Sequence, residues 1–147
     1  MNGVGRITVH HEGWHPVWFD DYASTKSRLE TIRQSHVSHK GWGDIGYHFI
    51  IDRAGRVWEG RDLRYQGAHV SQNNEHNIGI MCLGNFDKQS PSPAQLRSLV
   101  NSLRTLMNAC DVPLSRVYTH QELKPTACPG RHLQPRMVAI RHNGHLV

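Results

Sequence analysis

No stretch of this chain approaches the roughly 18 consecutive apolar residues of a membrane-spanning helix, so no membrane partner is expected. The first six residues, Met-Asn-Gly-Val-Gly-Arg, lack the charged and apolar regions of a signal peptide, and no export address is visible. There is no run of Lys or Arg and no strip of alternating basic and aromatic residues, which sets nucleic acid aside as a partner. Cysteine is scarce: Cys82, Cys110 and Cys128 are odd in number and widely spaced, which argues against a disulfide framework. Repeats and low-complexity tracts are also missing, which excludes solenoids and long disordered segments.

What remains is a chain of 147 residues, 37% apolar and 20% charged, long enough to bury one core and too short for two ordinary domains. A single domain over 1–147 is therefore expected, with monomer as the default state. Seventeen Lys and Arg against twelve Asp and Glu leave a net charge of +5, which favours polyanionic surfaces without choosing among them. Twelve histidines raise the expectation of metal or acid–base chemistry, and pattern must locate it.

Arg6 to His10 is β-branched and alternating, a strand ending in two histidines before Gly13 and Pro16. From an N-cap at Ser24 or Thr25 to about His39, Leu29, Ile32, His36 and Val37 recur at helical spacing, and Gly41 closes the helix. Ile45 to Asp52 and Arg56 to Glu59 read as a hairpin, with Tyr47 and His48 on its first strand. The continuous apolar run from Asn77 to Leu83 reads as the middle strand of a sheet, buried on both faces. Ser92 caps a helix reaching about Ala109, and Val117 to Thr119 is a short strand followed directly by His120. Alternating helices and strands predict an α/β domain, with a sheet flanked by helices and loops at the strand ends carrying the site.

His120 and Cys128 lie eight positions apart on a segment after that strand, and both are good zinc ligands. A catalytic zinc takes three protein ligands, and the strand-ending His10 is the natural third, with His11 pointing to the opposite face. On spacing alone this signal is weak, because solvent-facing histidines and a buried cysteine would look the same.

Larger strings extend it: Ile7-Thr-Val-His-His11, Gly41-Trp-Gly-Asp-Ile-Gly-Tyr-His-Phe-Ile-Ile-Asp52, Trp58-Glu-Gly-Arg61, Gly67-Ala-His69, Asn77-Ile-Gly-Ile80, Gly84-Asn-Phe86 and Thr126-Ala-Cys-Pro-Gly130. In order and spacing, from about 7 to 133, the chain resembles the zinc-dependent N-acetylmuramoyl-L-alanine amidases, a family that includes peptidoglycan recognition proteins and phage amidase-type lysozymes. Residues 134–147 extend beyond the resemblance. The family fold is a mixed central β-sheet with α-helices on both sides. The resemblance implies one zinc ion held by His10, His120 and Cys128, with Tyr47 beside the metal, Thr126 at a catalytic position, and His69 and Asn74 bordering the substrate cleft; Trp42 is a candidate substrate contact, with core packing the commoner role for such a tryptophan. The implied reaction cuts the amide between N-acetylmuramic acid and the L-alanine of the stem peptide. In it, zinc lowers the pKa of its water and polarises the carbonyl, while the Tyr47 hydroxyl orients the nucleophile or stabilises the oxyanion.

The departures from the family also bear on mechanism. Thr126 stands where some phage members carry a catalytic lysine and recognition proteins often have threonine, and Met81 stands where another branch has a glutamate base. Asp62-Leu63 replaces the Gly-Trp pair linked to diaminopimelate stems, so stem preference stays open.

Other readings compete with these. His11-Glu-Gly-Trp-His15 fits the zincin pattern H-E-x-x-H, but a preceding strand, an internal Gly13 and Pro16 oppose the helix it requires. His36 and His48 read as packing histidines, His69 as substrate contact or loop packing in equal measure, and Cys82 and Cys110 as small core residues. A non-catalytic peptidoglycan-binding module on the same fold is the alternative function. Such relatives commonly lack the cysteine ligand, whereas all three ligands and Tyr47 are present here. Substrate in the cell wall implies action outside the cytoplasm, by an endolysin-like or antimicrobial protein.

Overall fold

The structure, a computed structural model, describes residues 1, 3–142 and 146. Five strands form one mixed sheet in the order β3-β2-β4-β1-β5. They are β1 (Arg6–His11), β2 (Phe49–Ile51), β3 (Val57–Glu59), β4 (Asn77–Cys82) and β5 (Val117–Thr119). All neighbours run parallel except β2 and β3, which form the hairpin. All six residues of β4 are buried, as its unbroken apolar run predicts, and it is the middle strand.

Register divides the side chains between two faces. Ile50, Met81 and His10 stand in one row, and α1 (Tyr22–Gln34) covers part of that face with Leu29 and Ile32. Ile7, Val9, Ile78 and Ile80 face the other way, against Leu99 and Leu103 of α2 (Pro93–Cys110) and Met137 of α4 (Gln134–Ile140). Each fully buried leucine of this kind contributes about 1.5–3 kcal/mol of transfer free energy. The Ser92 hydroxyl caps α2 by accepting from Gln95 N–H at 3.0 Å, and the buried Gln95 amide donates to the Ile51 and Leu83 carbonyls. The helix is thereby pinned to the ends of β2 and β4.

Several expected boundaries move. The N-cap of α1 is Asp21, whose carboxylate accepts from Ser24 N–H at 2.9 Å; Ser24 and Thr25 lie inside the helix. The α-helix ends at Gln34 and continues as a π-helical turn, Ser35–His39, that turns His36 inward. Tyr47 and His48 precede β2, although their backbone still bonds the sheet: His48 N–H donates to the Gly79 carbonyl, and the His48 and Tyr47 carbonyls accept from Gly60 and Arg61, while Gly46 turns to His36 Nδ1 and Ala68. His120, expected in a loop, opens the one-turn helix α3 (His120–Leu123). The extension at 134–147 begins with α4, and its residues 143–145 and 147 lie outside the described residues. No helix among the described residues is long and apolar enough to cross a membrane.

Candidate metal centre

Alternation along β1 sends His10 and His11 to opposite faces. His10 is buried on the α1 face, and His11 accepts the Phe86 N–H at its Nδ1, at 3.0 Å, on the other. Because β5 pairs in parallel with β1, the residue following β5 emerges beside the end of β1, and the His120 ring lies 4.7 Å from that of His10. The start of α3 is fixed by Glu122, which accepts from Thr119 N–H at 2.9 Å and is held in turn by Arg141 of the C-terminal segment. A backbone bond from Gln121 N–H to the Cys128 carbonyl closes the intervening loop and returns Cys128 to the strand end.

There Cys128 Sγ lies 3.7 Å from His10 Nδ1 and accepts His11 N–H at 3.4 Å. One ligand atom from each of His10, His120 and Cys128 falls within 4.8 Å of the others, a group that could hold a metal ion. Zinc fits this donor set. Zn–S and Zn–N bonds of about 2.3 and 2.0–2.1 Å at a tetrahedral angle separate sulfur from nitrogen by about 3.5 Å, close to the observed spacing. His10 is sealed in, whereas His120 and Cys128 are half-buried and leave one side of the group toward solvent.

Electrostatics prepare the imidazoles and oppose the thiolate. Burial lowers the His10 and His120 pKa values, with neighbouring histidines adding to the shift at His10, so both rings stay neutral with a lone pair to offer. Burial pushes the Cys128 thiol up to about 12, a cost that a cation at its sulfur reverses. The Tyr47 ring stands 5.2 Å from His10, and burial, with Cys128 and Glu12 nearby, raises its phenol above the usual range. Tyr47 therefore keeps its proton.

The other expected site residues sit around this group at different removes. His69 is buried, with Nδ1 2.9 Å from His10 Nε2 and Nε2 2.9 Å from the Asn77 carbonyl. Asn74 accepts from His69 and Val70 N–H at its side-chain oxygen and shapes the turn behind His69. Trp42 meets His36 edge-on at 4.8 Å, and His36 lies 5.9 Å from Tyr47, so Trp42 reaches the centre only through them. Thr126 is exposed, and its hydroxyl accepts Cys128 N–H at 3.3 Å. Asp62 pairs with Arg64 and lines a separate cavity of about 470 Å3 with Arg61 and Tyr65.

Glu12 belongs in sequence to the zincin-like string at 11–15. It lies two residues beyond His10, the same-face spacing of a strand, and Arg28 of α1 grips its carboxylate through both Nε and Nη2. The zincin reading fails here: His11 turns away, His15 is exposed, and no helix spans the motif. Cys82, Cys110 and Cys128 are free thiols.

Known proteins resemble this chain along most of its length. The family model described as N-acetylmuramoyl-L-alanine amidase matches residues 2–131. The endolysin of Escherichia phage T7 is 39% identical over 111 residues, covering 72% of this chain and 72% of its own. Peptidoglycan-recognition protein SC1a of Drosophila melanogaster is 30% identical over 133 residues, covering 90% of this chain and 71% of its own. Among solved structures, the N-acetylmuramoyl-L-alanine amidase LysC from Clostridium intestinale URNW superposes with a TM-score of 0.78 at 28% identity, over 93% of this chain and 84% of its own. With the family model matched over nearly the whole chain, this protein belongs to the N-acetylmuramoyl-L-alanine amidase family.

Proposed function

We propose that this protein is a zinc-dependent peptidoglycan amidase that cuts between N-acetylmuramic acid and the L-alanine of the stem peptide, acting as a monomer on the cell wall. The observation that carries this reading is the meeting of His10, His120 and Cys128, drawn from two strand ends and a loop, within 4.8 Å and beside Tyr47. Those three residues would hold one zinc ion. When bound, zinc polarises a carbonyl oxygen and lowers the pKa of water toward neutrality. Tyr47, protonated and half-buried, donates its O–H to the scissile carbonyl oxygen as negative charge builds there. Thr126, exposed and accepting Cys128 N–H at its hydroxyl, is the further residue assigned to catalysis. Glu12 is committed to Arg28, and Met81 carries no proton, so neither serves as base. Trp42 meets substrate with its free surface, while His69 and Asn74 act from behind the centre.

The relatives named as an amidase and an endolysin support hydrolysis, and the recognition proteins support peptidoglycan as the ligand. A non-catalytic binding module is the competing reading, and Cys128→Ser separates the two. The variant is expected to pellet with insoluble peptidoglycan and release no stem peptide. Undiminished cleavage by it rules out the proposed centre.

A further inference from the structure

We infer that His69 is a positioning residue: through its ring, the Asn77 backbone carbonyl selects the tautomer of His10 that leaves Nδ1 unprotonated and facing Cys128. This rests on His10 being a metal ligand.

One line of hydrogen bonds joins Asn77, His69 and His10. A carbonyl oxygen only accepts, so His69 Nε2, 2.9 Å from Asn77 O, must carry a proton. His69 is buried, and its ring nitrogens are bonded to the Asn77 carbonyl and to His10, with no carboxylate at either, so a charged imidazolium there is disfavoured. The neutral ring has one proton, and Nδ1 is left as acceptor. His10 Nε2, 2.9 Å away, must then donate, and its only proton is spent on His69. His10 Nδ1 carries a bare lone pair 3.7 Å from Cys128 Sγ.

The surroundings hold each member of this line in place. A Cβ at Gly79 would lie 2.7 Å from the His69 ring and one at Gly67 2.6 Å from it, so both glycines keep open the slot the ring occupies. Asn77 is locked by its own side chain, which accepts from the Thr8 hydroxyl at 2.8 Å and donates to the Asn73 carbonyl at 2.8 Å. A second ring beside it repeats the pattern: His48 Nε2 meets the Tyr65 carbonyl, and its Nδ1 accepts Gly79 N–H at 3.0 Å. Metal-bound histidines are commonly oriented by such outer partners, whose loss weakens metal binding by about 10- to 100-fold.

The test uses the full chain. Long-range 1H–15N spectra of the metal-free protein should show a protonated Nε2 on both His10 and His69, with a scalar coupling across the His10–His69 hydrogen bond. His69 protonated at Nδ1 overturns the inference, whether or not the protein proves to be an amidase. Zinc titration of two variants then separates orientation from packing. His69→Phe keeps the ring's shape and has no acceptor; His69→Gln loses the shape and keeps one in its amide oxygen. The expected order is the unaltered chain, then His69→Gln, then His69→Phe, the last weaker than the first by about 10- to 100-fold. Zinc binding by His69→Phe as tight as that of the unaltered chain, or tighter than that of His69→Gln, overturns it.

Discussion

His10 and Cys128, 118 positions apart in the chain, bring Nδ1 and Sγ to 3.7 Å. The parallel pairing of β1 with β5 delivers the segment carrying His120 and Cys128 to the end of β1, and the Gln121–Cys128 backbone bond closes it. Because these ligands come together only in the folded state, metal binding and folding stability are linked.

Zinc at about 100 times its dissociation constant is expected to stabilise the fold by about 2.7 kcal/mol, which raises the melting temperature of a chain this size by roughly 5–10 °C. Calorimetry of chelated and zinc-reconstituted protein reads this shift. An unchanged transition would mean that the three side chains hold no ion.

Tyr47→Phe removes one hydroxyl and little packing. Turnover of soluble muropeptide should fall about 100- to 1000-fold, the usual cost of losing an oxyanion donor, with zinc affinity unchanged. A variant with full activity would show that Tyr47 makes no contact with the developing charge.

His36 gives the metal-free fold a pH dependence. Its burial, with Lys40 and Arg61 adding, lowers its pKa from 6.5 to about 4. Between those values the unfolded chain binds a proton that the fold refuses, so stability falls as pH drops from 6.5 toward 4. His36→Gln retains an acceptor for Gly46 N–H and cannot titrate; its denaturant midpoint should fall less over the same range. Equal slopes for the two proteins would remove His36 from the explanation.

What the sequence made legible was whatever side-chain chemistry or periodicity writes locally. The buried run of β4, the Ser92 cap of α2 and the alternation that parts His10 from His11 all fall in that class. Bonds from distant partners were not legible. Asp21 caps α1 from outside its apolar pattern. The Gly46 backbone, just before Tyr47, is bonded by His36 ten residues earlier and by Ala68, neither of which the strand pattern marks. His69 stood in a recognisable motif, but its governing partner is a backbone carbonyl, and that has no signature among residue types. Likewise Arg28, 16 positions from Glu12, becomes its partner only once α1 lies across the sheet.

The most direct test of the central claim is mass spectrometry of purified peptidoglycan after incubation with the protein, with chelator and again after zinc is restored. Free stem peptides beginning at L-alanine, absent under chelation and regained with zinc, are the expected result. Intact glycopeptides under every condition, from protein that still pellets with the wall, would contradict it and make the chain a binding module.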